Sequence, residues 1–179
     1  MLERCERELE KMLLYIVRHG IAIDREDPKC PSDPERYLTP EGHTRTKEVA
    51  KCIAALIDTP KLLISSPYVR AVQTAEIFAE ALDSSKAKIE KSELLLPGAE
   101  PSAFLRELSR KKPVESVMCF GHAPQLDELI SASLGAKKDL TELKKAGVAC
   151  IEMSRVHPAA GKLVWLITPR TVRKLSKGK

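Results

Sequence analysis

The chain has 179 residues, 43% hydrophobic and 31% charged, which suits one domain with a packed core and excludes a disordered chain. Its formal charge of +5 is matched by the last ten residues, which hold five basic side chains and no acid; the neutral remainder excludes a general nucleic-acid binder. No apolar run approaches 18 residues, so no membrane-spanning helix is expected, and the charged first residues do not read as a signal peptide.

Residues 1–12 place Leu2, Cys5, Leu9 and Met12 at three- and four-residue steps, the stripe of a short helix. Met12 is an equal candidate for the natural start, which would make residues 1–11 an extension. Residues 13–17 are unbroken apolar and predict a short buried strand ending in Arg18, His19 and Gly20. Open α/β sheets bind ligands at the carboxyl ends of their strands. A glycine there lets backbone approach an anion without a Cβ in the way. A strand followed by a plain polar turn is the competing reading of these three residues alone.

Residues 21–37, rich in Pro, Asp and Lys, read as a loop long enough to be functional. Thr39 and Pro40 then open a helix as N-cap and first residue, with Val49, Ile53, Leu56 and Ile57 as its buried stripe. Residues 62–65 predict a second strand ending in Ser65, Ser66 and Pro67. A helix follows to about Leu82, with Ala71, Ala75, Phe78 and Leu82 facing inward. Residues 88–90 predict a brief strand, 94–101 a loop, and 101–110 a helix with Phe104, Leu105 and Leu108 inside. Residues 117–120 predict a third apolar strand running into Gly121 and His122. Ala123-Pro124 starts the next helix, which buries Leu126, Leu129, Ile130 and Leu134. Residues 148–153 and 162–167 read as two late strands paired as a hairpin through His157, Pro158 and Gly161. Residues 170–179 read as a frayed, solvated basic tail.

Cys5, Cys30, Cys52, Cys119 and Cys150 are odd in number, widely spaced and free of any C-x-x-C pair. That pattern predicts reduced thiols in a cytoplasmic protein and neither a zinc site nor a disulfide framework. Strand and helix alternate for most of the chain. The expected fold is α/β, a three-layer α/β/α sandwich whose mainly parallel sheet is made mixed by the late pair.

In a parallel sheet the three strand ends share one edge. Arg18, His19, Arg70 and His122 then converge on one pocket. Arginine forks suit phosphate oxygens, and helix N-termini along the same edge add N–H donors. The pocket is expected to take a phosphoryl group or a similar oxyanion.

At this point the chain resembles a family. Arg18-His19-Gly20, residues 38–42 (Leu-Thr-Pro-Glu-Gly), residues 66–75 (Ser-Pro-Tyr-Val-Arg-Ala-Val-Gln-Thr-Ala) and Gly121-His122 resemble, in order, the motifs of the histidine phosphatase superfamily. The resemblance runs from residue 12 to about 168. It implies a phosphoglycerate-mutase-like domain over 12–169 and, within the superfamily, a short phosphohistidine phosphatase of the SixA type, with no large cap.

By that resemblance His19 is the nucleophile, and Arg18, Arg70 and His122 hold the phosphoryl oxygens, with Gly20 beside them in the substrate site. The chemistry stands on its own terms. An imidazole nitrogen can attack phosphorus in line, and fixed cations offset charge on the equatorial oxygens without a metal or other cofactor. A protonated His122 would add a third cation. The expected partner is a phosphorylated protein or a small phosphorylated substrate, with no nucleic acid and no membrane.

Larger family members carry an acid that protonates the leaving group. Glu93 and Glu100 are candidates here by proximity alone, and Pro97 falls where such an acid would be expected, so the role is not assigned. His43, His157 and Cys119 read as solvated, structural and core residues respectively. Three functions compete: a phosphohistidine phosphatase, a small phosphomonoester phosphatase, and a non-catalytic phosphate-binding domain.

Overall fold

The computed structural model describes residues 11–84 and 88–176. Six strands form one sheet in the order β3-β2-β4-β1-β5-β6. Its centre is β1 (Met12–Arg18), parallel to β4 (Ser116–Gly121) on one side and antiparallel to β5 (Val148–Arg155) on the other. Beyond β4 lie β2 (Leu62–Ser65) and β3 (Ile89–Lys91), both parallel; β6 (Ala160–Ile167) closes the far edge antiparallel to β5. The expected mixed sheet and late hairpin are both present.

The period of two along β1 divides the core. Tyr15 and Val17 join one buried cluster with residues of α1 (Pro40–Ala54) and α2 (Val69–Ala81). Leu14 and Ile16 join the other, with α3 (Pro101–Arg110) and α4 (Gln125–Ser133). Because β1 is buried on both faces, its apolar run does not alternate. These two clusters make the three layers.

The start of α1 is fixed as the sequence predicts. The Thr39 hydroxyl accepts from the Gly42 amide at 3.0 Å, and Pro40 fills the first turn. Gly42 has a further reason that the sequence does not disclose. A Cβ there would lie 2.0 Å from the Ile21 carbonyl oxygen, so only glycine lets α1 pass the loop after β1 this closely.

Three expectations need correction. Leu56, expected in the buried stripe of α1, lies beyond its end and is 58% exposed. Residues 170–176 of the tail expected over 170–179 are not frayed: α5 (Pro169–Ser176) packs against α1, and Val172 is only 3% exposed within the α1–α2 cluster, while residues 177–179 of that expectation lie outside the described residues. One buried valine among basic residues anchors the helix, too short a stripe for periodicity to reveal. The helix expected over 1–12 also fails at its end, since Met12 belongs to β1; residues 1–10 of that expectation lie outside the described residues. Among the described residues, no helix is long and apolar enough to cross a membrane.

Candidate active site

Sheet order places the site. β2, β4 and β1 are consecutive neighbours, so their carboxyl ends deliver Ser66, His122 and His19 side by side. Backbone bonds fix the spacing: the His19 amide donates to the Gly121 carbonyl at 3.1 Å, and the Ser66 amide to the Phe120 carbonyl at 2.8 Å. The His19 and His122 rings stand 5.1 Å apart between centroids. Arg70 enters from the first turn of α2, 98% buried, with its guanidinium 4.9 Å from the Tyr68 ring centre.

A cavity of about 200 Å³ opens where these residues meet, lined by Arg18, His19, Arg70 and His122. Arg25, Arg36, Lys145 and Pro97 also line it. All four side chains singled out from the sequence therefore reach one cavity. Arg25, Arg36 and Lys145 were not foreseen. Two come from the 21–37 loop, whose length was the only signal, and Lys145 comes from an irregular stretch before β5.

His19 is held in one tautomer. Its Nδ1 lies 2.7 Å from the Gly20 carbonyl oxygen, which can only accept, so Nδ1 carries the proton and Nε2 the lone pair. Burial lowers its pKa to about 3, helped by the charges of Arg70, Arg18 and Lys145 against the opposing bond to Gly20. At neutral pH it is an uncharged imidazole with a free nitrogen, the form that can attack phosphorus.

Gly20 has a structural part that the sequence does not disclose. It does not line the cavity. Its carbonyl orients His19, its amide donates to the Thr74 hydroxyl at 3.0 Å, and a Cβ would lie 2.3 Å from Thr46 Oγ1. The missing side chain admits α1.

His122 is the second imidazole of the site. Burial first, then the charges of His19, Arg70 and Arg18, lower its pKa to about 2, so the ring is neutral rather than a third cation. Its Nε2 lies 2.8 Å from the Ser66 hydroxyl, while Nδ1 is buried without a partner.

Arg18 donates from Nη1 to the Leu143 carbonyl at 2.7 Å, and its Nε, like that of Arg70, is buried without a partner. Asp33, in a short 3₁₀ turn (Asp33–Glu35), pairs with Arg25, Arg36 and Arg70 at once. Burial would raise its pKa, but the hydrogen bond from Arg36, the charge and bond of Arg70 and the charge of Arg25 bring it down to about 2. Glu93 and Glu100 are exposed and line no part of the cavity, whereas Pro97 does. His43 is half-buried, His157 lies in the β5–β6 turn, and Cys119 is fully buried in β4.

A model of the histidine phosphatase superfamily (branch 1) matches residues 14–95. A protein of Picosynechococcus sp., described only as uncharacterized, is 39% identical over 140 residues, covering 76% of this chain and 82% of its own. The mitochondrial serine/threonine-protein phosphatase Pgam5 of Drosophila pseudoobscura pseudoobscura is 31% identical over 102 residues, which is 54% of this chain and 34% of that protein. The chain thus spans about a third of the length of that relative. In fold, the protein histidine phosphatase SixA, solved with tungstate, superposes with a TM-score of 0.78 at 23% identity, covering 90% of this chain and 99% of that one.

Proposed function

We propose that this chain, which belongs to the histidine phosphatase superfamily, removes the phosphoryl group from phosphohistidine in a protein by way of a phosphorylated His19. In this reading the lone pair on His19 Nε2 attacks phosphorus in line. Arg18 and Arg70 offset charge on the equatorial oxygens, and His122 contributes a hydrogen bond. The substrate imidazole leaves, taking its proton from water. Water then attacks the phosphorylated His19, releases inorganic phosphate and restores the neutral ring.

The observation that carries this reading is the lining of the reaction cavity. Among the described residues that line it, none is a carboxylate, and Pro97 stands at its edge. Asp33 is close by, but three guanidinium groups keep it ionised near neutral pH, so it has no proton to give. An alkoxide needs a proton to leave, whereas an imidazole leaves as a neutral base. The guanidinium groups of Arg18 and Arg70, which both line the cavity, support oxyanion binding, since their planar forks suit phosphate oxygens.

A phosphatase for alkyl phosphomonoesters is the second reading, favoured by the Drosophila relative, a serine/threonine-protein phosphatase. Rapid quench with a ³²P-phosphohistidine peptide and with a ³²P-phosphoserine peptide separates them. The expected result is label trapped on His19 from the first and little from the second. Equal trapping from both would favour the second reading.

A further inference from the structure

The reaction cavity has a larger neighbour of about 640 Å³, and Arg18 and Lys145 line both. Arg45 of α1, Lys144 before β5, and Arg170 and Arg173 of α5 complete its charged wall. Ile21, Ala146 and Pro169 give it an apolar floor. Among the described residues, no carboxylate and no aromatic ring lines it.

Most of this positive charge is uncommitted. Arg45 pairs with Glu41 and Lys144 with Glu142 on the outer surface. Among the described residues, Arg18, Lys145, Arg170 and Arg173 form no ion pair. Arg173 Nη1 is buried with no hydrogen-bond partner at all. A buried guanidinium nitrogen left unsatisfied is costly, and like charges crowded around one hollow repel. The repulsion among these cations is relieved by an anionic occupant.

Resting on the proposed phosphohistidine activity, we propose that this second cavity seats an acidic segment of the substrate protein, next in sequence to the phosphohistidine. Its carboxylates meet Lys145, Arg170 and Arg173, and an aliphatic side chain between them covers Ile21 and Pro169. Three features favour a peptide over other anions. The cavity is about three times the volume of the reaction cavity and adjoins it, with Arg18 and Lys145 in the walls of both. Its cations are spread along α1, α5 and the loop before β5, a spacing for several charges and not for one compact ion. Without an aromatic ring it offers no stacking platform for a nucleobase.

The test uses two phosphohistidine peptides that differ only in flanking residues, three glutamates in one and three glutamines in the other. Wild type is compared with Arg170→Glu and with Arg170→Glu/Arg173→Glu, with p-nitrophenyl phosphate as the small substrate. Arg170 is exposed, so its single variant keeps the test valid even where the double variant is unstable. Wild type is expected to prefer the acidic peptide by about tenfold in kcat/KM, a typical effect of a few complementary charges. Each variant should lose most of that preference and keep p-nitrophenyl phosphate hydrolysis within about twofold. Equal rates on the two peptides, or a preference that survives both variants, overturns the proposal. Fluorescence anisotropy of the labelled, unphosphorylated acidic peptide separates the two layers of inference. Binding that Arg170→Glu weakens, without phosphohistidine cleavage, sinks the activity and supports the cavity. Cleavage without binding or preference does the reverse.

Discussion

Asp33 holds both terminal nitrogens of Arg70: its backbone carbonyl accepts from Nη1 at 2.6 Å and its carboxylate from Nη2 at 3.2 Å. The same carboxylate takes Arg36 at 3.0 Å and Arg25 at 3.2 Å. One loop carboxylate therefore gathers three of the cations that line the reaction cavity. It aims Arg70, and it also competes with an incoming oxyanion for the same fork.

Asp33→Asn separates these two effects. Asparagine keeps an acceptor in place and removes the charge. Removing one negative charge a few ångströms from the oxyanion site is worth roughly 1 kcal/mol at a water-like dielectric. Tungstate inhibition should tighten by about fivefold, while the urea midpoint falls, reflecting loss of about 1 kcal/mol from a partly exposed cluster. Weaker inhibition by tungstate would show that aiming Arg70 matters more than the competing charge.

A second prediction concerns the contact behind His19. In Gly20→Ala the new methyl would meet Thr46 Oγ1 at 2.3 Å and Leu38 Cδ2 at 3.2 Å. Overpacking of this kind typically costs about 1–3 kcal/mol. Thr46 is fully buried and its hydroxyl has no partner, so Thr46→Ala removes the obstruction without breaking a bond. The double variant should recover most of the stability lost by Gly20→Ala, as read by urea unfolding. Simple additivity of the two changes would show that the clash lies elsewhere.

Acid stability follows from the two site histidines. Their pKa values are lowered in the folded protein, to about 3 for His19 and about 2 for His122, against about 6.5 in the unfolded chain. Below about pH 6.5 the unfolded state binds these protons and the native state does not, so stability is lost as pH falls. Asp33 adds its share only lower, between about pH 3.9 and about 2, where it too must take a proton. The urea midpoint is expected to drop between pH 7 and pH 5, and His122→Gln should flatten that slope. A slope unchanged in His122→Gln would mean the ring already titrates freely in the native state.

The sequence discloses the parts of the site that lie at strand ends. Residues 13–17, 62–65 and 117–120 are short apolar runs that stop at polar groups, and parallel pairing puts those groups on one edge. His19, Arg70 and His122 are legible for that reason. Asp33, Arg36 and Lys145 are not, because their places depend on how two irregular segments fold back over the edge, which no periodicity encodes. The helix over 169–176 is hidden for a related reason: among its described side chains only Val172 is buried as an anchor. Val172→Ala should lower stability by about 1–2 kcal/mol, where a frayed tail would show no change in urea unfolding.

Substrate class depends on a general acid, and among the described residues no carboxylate lines the reaction cavity. A positioned general acid is worth typically about 10²–10⁴-fold when an alkoxide must leave. The glutamates closest in sequence to Pro97, Glu93 and Glu100, are exposed, and Glu100 is engaged with the Ser102 hydroxyl. Glu93→Gln and Glu100→Gln are therefore expected to leave every rate within about twofold. Phosphohistidine and aryl phosphates should be cleaved well, since an imidazole leaves neutral and a phenol is fairly acidic. Phosphoserine and sugar phosphates should be slower by about two orders of magnitude or more. Replacing Pro97 tests the same point from the other side, because it already lines the cavity. Pro97→Glu should raise phosphoserine turnover while changing aryl phosphate turnover far less. If wild type already hydrolyses phosphoserine efficiently and Glu93→Gln or Glu100→Gln abolishes it, an acid reaches the site from the loop, and the alkyl phosphomonoester reading replaces the one proposed.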